Sequence, residues 1–259
     1  MTQGPNSSAP VPKADRDVVS RPPGLLPLTN ACRSLGETWK MRDQAIRGAV
    51  SMRVFVSPFV ERVLARAHPI TPIVWFGPIV VWAFYDAWVR RGLGVVTIGA
   101  LLFSGWLTWT LIEYVLHRWV FHFEPNDTPQ GRLQAFLVHG YHHAYPNDRY
   151  RLVAPPMMSW PVGAVLALLC RLVGGPTHWL MIFAGVSVGY VAYDWIHYYT
   201  HHFRPTTHVG KWLRAYHMRH HHDHTPTRFG VSSPLWDLVC GTYASAKGQS
   251  VVAPEESRP

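Results

Sequence analysis

Residues 93–122 read LGVVTIGALLFSGWLTWTLIEYVLHRWVFH. An apolar run from Leu93 to Leu116 carries one carboxylate, Glu113, and ends on two histidines, His117 and His122. The run exceeds the ~20 residues an α-helix needs to cross a bilayer. Imidazole is the commonest protein metal ligand. A membrane helix that delivers paired histidines to one membrane surface therefore sets the fold: helices in the bilayer, metal chemistry at their ends.

Three further apolar stretches occur at about 70–89, 157–173 and 179–199. The third is short and carries Pro161, so a tilted or partly inserted segment is an alternative for it. Trp75, Trp82, Trp88, Trp119, Trp160 and Trp179 fall towards segment ends, where aromatic belts form. Charged residues make up 15 % of the chain, against roughly 25 % in soluble domains. A soluble protein with four buried helices is the competing reading, but it would be left with little polar surface. The expected architecture is all-α and integral to the membrane, with four transmembrane helices.

Lys and Arg set the orientation. Ten precede residue 70, four lie in 117–156 and seven follow residue 199, whereas the short turns hold only Arg90, Arg91 and Arg171. The positive-inside rule places both termini and the 117–156 loop in the cytoplasm, with Arg90 and Arg91 a local exception. The net charge of +9 fits attraction to an anionic membrane surface. Nucleic acid is set aside, because no basic helix or base-stacking motif accompanies the charge. Cys32, Cys170 and Cys240 lie far apart and read as inert thiols.

Outside the apolar core, residues 1–36 read as a disordered tail and 247–259 as a C-terminal tail. Between 41 and 66, Arg42, Arg47, Arg53, Arg62 and Arg66 interleave with apolar residues. That pattern predicts an amphipathic helix, lying on the membrane or simply connecting, within an interfacial region at 37–69. The remaining 70–246 is the membrane domain.

Ten of the sixteen histidines fall into four boxes. These are HRWVFH (His117, His122), HGYHH (His139, His142, His143), HYYTH (His197, His201) and HMRHH (His217, His220, His221). Residues i, i+3 and i+4 share a helix face. Adjacent histidines in each HxxHH box diverge enough to serve two neighbouring metals. His117 and His122 are five apart, so the helix is expected to distort between them and the two to feed different metals. Ten imidazoles are too many for one ion. Structural zinc sites favour four ligands, often with Cys, and the Glu and ExxH signature of carboxylate-bridged di-iron bundles is missing. By the topology above, every box lies on the cytoplasmic side.

Glu113 and Asp194 sit inside apolar segments, where an ionisable group is costly and usually functional. Both are expected to accept the free N–H of a ligating imidazole. Arg149 and Arg151 are candidates for meeting a carboxylate or lipid head group. His202, His222 and His224 lie off the box spacing, and His68, His178 and His208 read as ordinary residues.

At this level of detail the chain resembles the fatty acid hydroxylase and sterol desaturase superfamily, whose pattern HxxxxH, HxxHH, HxxxH, HxxHH occurs here in order. EYVLHRWVFHFE, HGYHHAYPNDRYRLVAPP, YDWIHYYTHH and YHMRHHHDHTPTRFGVSSPLWDLVCGT are most similar to the fatty acid 2-hydroxylase branch. The resemblance covers roughly residues 40–245. It implies a cytosolic helical cap that holds a dimetal site ligated by the ten boxed histidines. Two iron ions are implied, although zinc can occupy such sites, with dioxygen as co-substrate. It also implies hydroxylation of a lipid acyl chain, at the 2-position for this branch. Relatives often carry a fused cytochrome b5 domain; none is expected here, which points to a separate donor of the ferredoxin or cytochrome b5 type. Relatives often have Tyr where this chain has His222. The alternatives are a carotenoid or sterol hydroxylase or desaturase, and a non-catalytic metal-binding or metal-transporting membrane protein.

Overall fold

The computed structural model describes residues 51, 53–223 and 225–244, and all features below belong to these. They are helical, with no β-strand. Helix α1 (Thr71–Tyr85) carries Pro72 in its first turn, where a missing N–H costs nothing, and continues into a widened turn, Asp86–Arg90. Helix α2 (Val95–Val115) likewise widens over Leu116–Phe121. The short helices α3 (Pro129–Ala135) and α4 (Tyr141–Ala144) follow, joined by a third widened turn, Phe136–Gly140. The long α5 (Pro156–His202) precedes α6 (His208–His222) and the short α7 (Leu235–Val239). Thr128 and Thr207 cap α3 and α6, each hydroxyl accepting a backbone N–H, from Gly131 and Gly210.

Three helical stretches are long and apolar enough to cross a membrane: Thr71–Arg90, Val95–Phe121 and Pro156–His202. The last contains both the third and the fourth apolar stretches of the sequence. As a straight rod its 47 residues would reach about 70 Å, more than twice a ~30 Å hydrocarbon core. It is not straight. Gly175 has φ 60° and ψ −172°, open to glycine and closed to other residues, and the helix breaks there. The two arms fold back on each other. Ser159 lies beside the Tyr190 hydroxyl, and Leu166 and Cys170 pack with Phe183.

Glycines let α2 and the second arm of α5 approach backbone to backbone. A Cβ on Gly105 would lie 2.0 Å from the Ile182 carbonyl oxygen, and one on Gly185 2.1 Å from that of Leu102. Small residues at such crossings recover close van der Waals packing where lipid offers no hydrophobic drive. Phe76, Trp109, Tyr190 and Tyr193 fill the space beside this seam. The outer faces of the long helices stay apolar, with Val96 86 % and Val173 85 % exposed, as lipid-facing surfaces require. At the end of α1, buried Asp86 pairs with both Arg90 and Arg91, so the two arginines that depart from the charge rule are partly neutralised.

The predicted tails at 1–36 and 247–259 lie outside the described residues, as do 37–50 and 52 of the interfacial region. Within the remainder of that region, the continuous amphipathic helix does not form. Only residues 58–64 form helical turns. Buried Glu61 explains this: its Oε2 accepts the N–H groups of Val54 and Phe55, each at 3.0 Å, which holds 53–57 off a helical path.

Candidate metal centre

The four boxes reach one place because α2 and the second arm of α5 run side by side in the same direction and end together. The widened turn decides the first box. The His122 N–H donates to the His117 carbonyl at 3.2 Å, a five-residue hydrogen bond. That turn brings residues five apart onto one face. The expected distortion is present, but its predicted consequence is reversed: His117 and His122 belong to the same cluster, with ring centroids 5.1 Å apart. Five-residue turns of this kind concentrate at functional sites.

Two clusters form. His142, His197, His201, His217 and His221 offer ligand atoms within 4.8 Å of one another, and so do His117, His122, His139 and His220. The adjacent pair His220 and His221 divides between the two clusters. His142 belongs to the first cluster; its neighbour His143 lies at the border of the second. The His143 ring is 4.3 Å from that of His221, 4.7 Å from His139 and 5.0 Å from His122. Its Nε2 is buried without a partner. Nine of the ten boxed histidines thus fall in the clusters, with the tenth against both. His202 packs at a tilt against Tyr198 and His222 is exposed, outside both groups; His224 lies outside the described residues.

The donor set suits cations. In the five-histidine cluster, Nε2 faces Nε2 at 3.0 Å for His142–His221, His142–His197 and His217–His221, and at 2.9 Å for His201–His217. Each such contact needs one protonated and one bare nitrogen, and converging nitrogens cannot all be paired that way. Nε2 of His117 and of His139 is buried with no partner at all. A metal ion would satisfy these lone pairs together. Burial and neighbouring imidazoles push His122 down to about 3. Burial, then His220, pushes His143 down to about 4. Burial also lowers His139, His142, His217, His220 and His221. Neutral rings with free lone pairs are the ligating form.

Backbone carbonyls, not carboxylates, orient the second cluster. His117 Nδ1–H donates to the Phe229 carbonyl at 2.5 Å, and His220 Nδ1–H to that of Thr227 at 3.0 Å, which directs both Nε2 atoms inward. Glu113, expected on an imidazole, instead accepts the N–H groups of Val231 and Ser232 at 2.7 and 2.8 Å, and the Ser232 hydroxyl. Asp237, fully buried, accepts the two preceding amides, Phe229 at 2.9 Å and Gly230 at 2.8 Å. Sequence reasoning missed Asp237; its one signal is a lone carboxylate between Trp236 and Leu238. Asp194 also misses the imidazoles. It faces the Tyr190 hydroxyl and the Ala154 N–H, its Oδ2 buried without a partner, as is His197 Nδ1.

Two apolar cavities lead to the clusters. One, of about 120 Å³, lies among the long helices and is lined by residues including Phe76, Trp109, Leu166 and Phe183. The other, of about 320 Å³, ends on His139, His142 and His197. Phe121, Ala154, Met158 and Tyr193 line both, so the two adjoin. A third, more polar cavity of about 740 Å³ opens on His122, His139, His143, His220 and His221. Of the two arginines expected at a head group, Arg149 is exposed and lines none of these cavities. Arg151 lines the second but pairs with Glu61 and donates to the Ala65 carbonyl at 3.2 Å.

A family model described as fatty acid hydroxylase matches residues 102–242, which include all four boxes. The chain is 35 % identical over 222 residues to dihydroceramide fatty acyl 2-hydroxylase FAH1 of Arabidopsis thaliana, covering 85 % of this chain and 92 % of that one. It is 32 % identical to fatty acid 2-hydroxylase of Homo sapiens, over 76 % of this chain and 58 % of the relative. It therefore spans somewhat over half of the human protein. Among solved structures, full-length scs7p, with only its hydroxylase domain visible, matches with a TM-score of 0.69 at 32 % identity, covering 80 % of this chain and 79 % of that one.

Proposed function

Because this chain belongs to the fatty acid hydroxylase family, we propose that it hydroxylates the 2-position of a fatty acid or fatty acyl lipid within the membrane. The reaction consumes one dioxygen, two electrons and two protons, and returns the alcohol and one water. The observation that carries this reading is the junction of an apolar cavity with two adjacent histidine clusters. Two iron ions held by the ten boxed histidines would, when bound, supply the activation of dioxygen needed to attack an unactivated C–H bond.

The protein's own residues bind, aim and exclude water. Methylenes of the acyl chain lie along the adjoining cavities between Phe76 and Tyr193, where apolar walls replace lipid at little cost. The carbon to be hydroxylated sits beside His139, His142 and His197. For the 2-position the head group lies one bond away, so it stays in the same cavity. Arg151, at that cavity wall, is the head-group residue; exposed Arg149 is not. Glu61 keeps the Arg151 guanidinium fixed and desolvated before substrate arrives. Phe121, which lines all three cavities, separates the apolar approach from the polar one.

The break at Gly175 supports a reading of four crossings rather than three, and the distribution of Lys and Arg supports a cytoplasmic histidine end and cytoplasmic termini. A hydroxylase domain at 70–246 then carries its metals in a cytosolic cap. Electrons come from a separate carrier of the ferredoxin or cytochrome b5 type. The named relatives favour acyl 2-hydroxylation over sterol or carotenoid chemistry. Clustering of the histidines at one end, rather than along a path, disfavours transport.

The test is mass spectrometry of total lipids from cells that express the wild type or His142→Ala together with a donor. A wild-type-specific gain of one oxygen, localised by fragmentation to the 2-position, is expected. Loss of two hydrogens, oxygen on an isoprenoid or sterol, or no change would overturn the reading.

A further inference from the structure

The segment 227–232 takes no part in ligation, yet two buried carboxylates hold four of its amides in succession. Asp237 accepts Phe229 and Gly230; Glu113 accepts Val231 and Ser232. Asp237 Oδ1 also takes the Thr242 hydroxyl at 2.7 Å. The approach is so close that a Cβ on Gly230 would lie 2.0 Å from the Ser233 carbonyl oxygen and 2.9 Å from Asp237 Oδ2. Arg228, at the start of the segment, adopts φ 63°, a strained value for a side chain with a Cβ. Its guanidinium bonds Asp223 and the Ala244 carbonyl, so the strained residue is held from both sides. This much fixation of a non-ligating loop needs a reason. The Phe229 ring packs against His117, His122 and His220, and the hydrogen bonds from the loop to the clusters run through the carbonyls of Thr227 and Phe229. Both accept histidines of the four-histidine cluster and neither touches the other cluster.

We propose that Asp237 is a positioning residue for one metal position alone: through the 227–232 backbone it fixes His117 and His220, and so governs the four-histidine site independently of the five-histidine site. The proposal rests on the metal reading above. Glu113 works the other end of the same loop. Histidines oriented by a fixed partner on their second nitrogen hold metal more tightly, and loss of that partner costs about 10–100-fold in affinity. Asn at position 237 would turn an N–H₂ towards an amide N–H that now donates to a carboxylate oxygen, so one end of the loop comes free.

The experiment uses full-length purified protein loaded with zinc, and follows release of zinc to a chromogenic chelator. Wild type is expected to give up two ions per chain slowly. Asp237→Asn is expected to release one ion about tenfold faster or more, with the second unchanged. Thr242→Val keeps the loop amides bonded and removes the hydroxyl that supports Asp237 and also bonds the Tyr114 hydroxyl at 2.9 Å, so it accelerates the same single ion by a smaller factor; it also serves if Asp237→Asn does not fold. Ile98→Ala, in the core beside Ala83 and Met181, destabilises the fold without touching the loop and leaves both release rates at wild type. Equal acceleration of both ions in the loop variants, or of neither, overturns the proposal while leaving the metal reading intact. A wild type that binds no zinc overturns both.

Discussion

His122 hydrogen-bonds back to the carbonyl of His117 across a five-residue turn, and this one bond places both rings in the same cluster. In a regular α-helix, residues five apart point about 140° from each other. Deleting Val120 from the turn would make them neighbours at four residues, but it would shift everything that follows by one register. We expect such a variant to retain its membrane helices and to lose one of two metal ions, with no detectable hydroxylation. Metal analysis of detergent-purified protein, set beside its helical content, checks this.

The ligand set also fixes a pH dependence for metal-free protein. Imidazoles held at about 3 for His122 and about 4 for His143 stay neutral where an unfolded chain, near 6.5, takes up protons. The unfolded state therefore binds more protons as pH falls below 6.5, and stability falls with it until the folded values are passed. Thermal stability of the metal-free protein should be flat above about pH 7 and decline between about 6.5 and 4. The decline should weaken in a His143→Gln variant. A melting temperature that rises on acidification would contradict the assignment of neutral, buried ligands.

Helix contact is tested at Gly185. A methyl there would overlap the Leu102 carbonyl oxygen at 2.1 Å, and the contact is with backbone, which cannot rotate away. Gly185→Ala should force α2 and α5 apart at a cost of about 1–3 kcal/mol. A clear fall in melting temperature and in folded yield is expected. Gly99→Ala meets nothing within 4 Å and should be neutral to slightly stabilising.

The segment before α1 is tied down by Glu61, which pairs with Arg151 and Arg66 and accepts two amides. Burial works to raise its carboxyl, but the amides of Phe55 and Val54 and the Arg151 charge outweigh it and hold it below the usual range. This stabilisation is present above the unfolded value, near 4.3, and disappears as pH falls through the lower folded value. Glu61→Gln leaves Arg151 without its counter-charge and should cost on the order of 3 kcal/mol. Greater proteolysis of residues 53–66 at neutral pH would reveal the released segment.

What could be read from sequence was what repeats at short range. The boxes gave the candidate ligands because helical spacing is local, and the apolar runs gave the long helices because a bilayer sets their length. Sequence does not disclose the partners of Glu113 and Asp194, because nearness along the chain is not nearness of groups. Glu113 lies four residues from His117 yet bonds to amides 118 and 119 positions away. Asp237 was missed for the same reason, since a carboxylate that binds only backbone leaves no pattern of side chains. The widened turns escaped in part, because five-residue bonds are paid for by the packing of histidines that only the folded chain brings together.

The junction of the two apolar cavities makes the sharpest claim about substrate. Ala154 lines both, with Phe121, Met158 and Tyr193 around it. Its side chain is small, so the passage there has room that a larger residue would take. Ala154→Phe adds a ring at this point without touching a boxed histidine. If acyl chains pass through the junction, the variant should keep both metal ions and lose at least tenfold in kcat/KM on long-chain substrates. Short-chain substrates, whose tails end before the junction, should lose much less. If all chain lengths fall alike, the chain takes another route to the histidines. If metal is lost as well, the substitution has disturbed the clusters, and Met158→Phe at the same junction gives the second measurement.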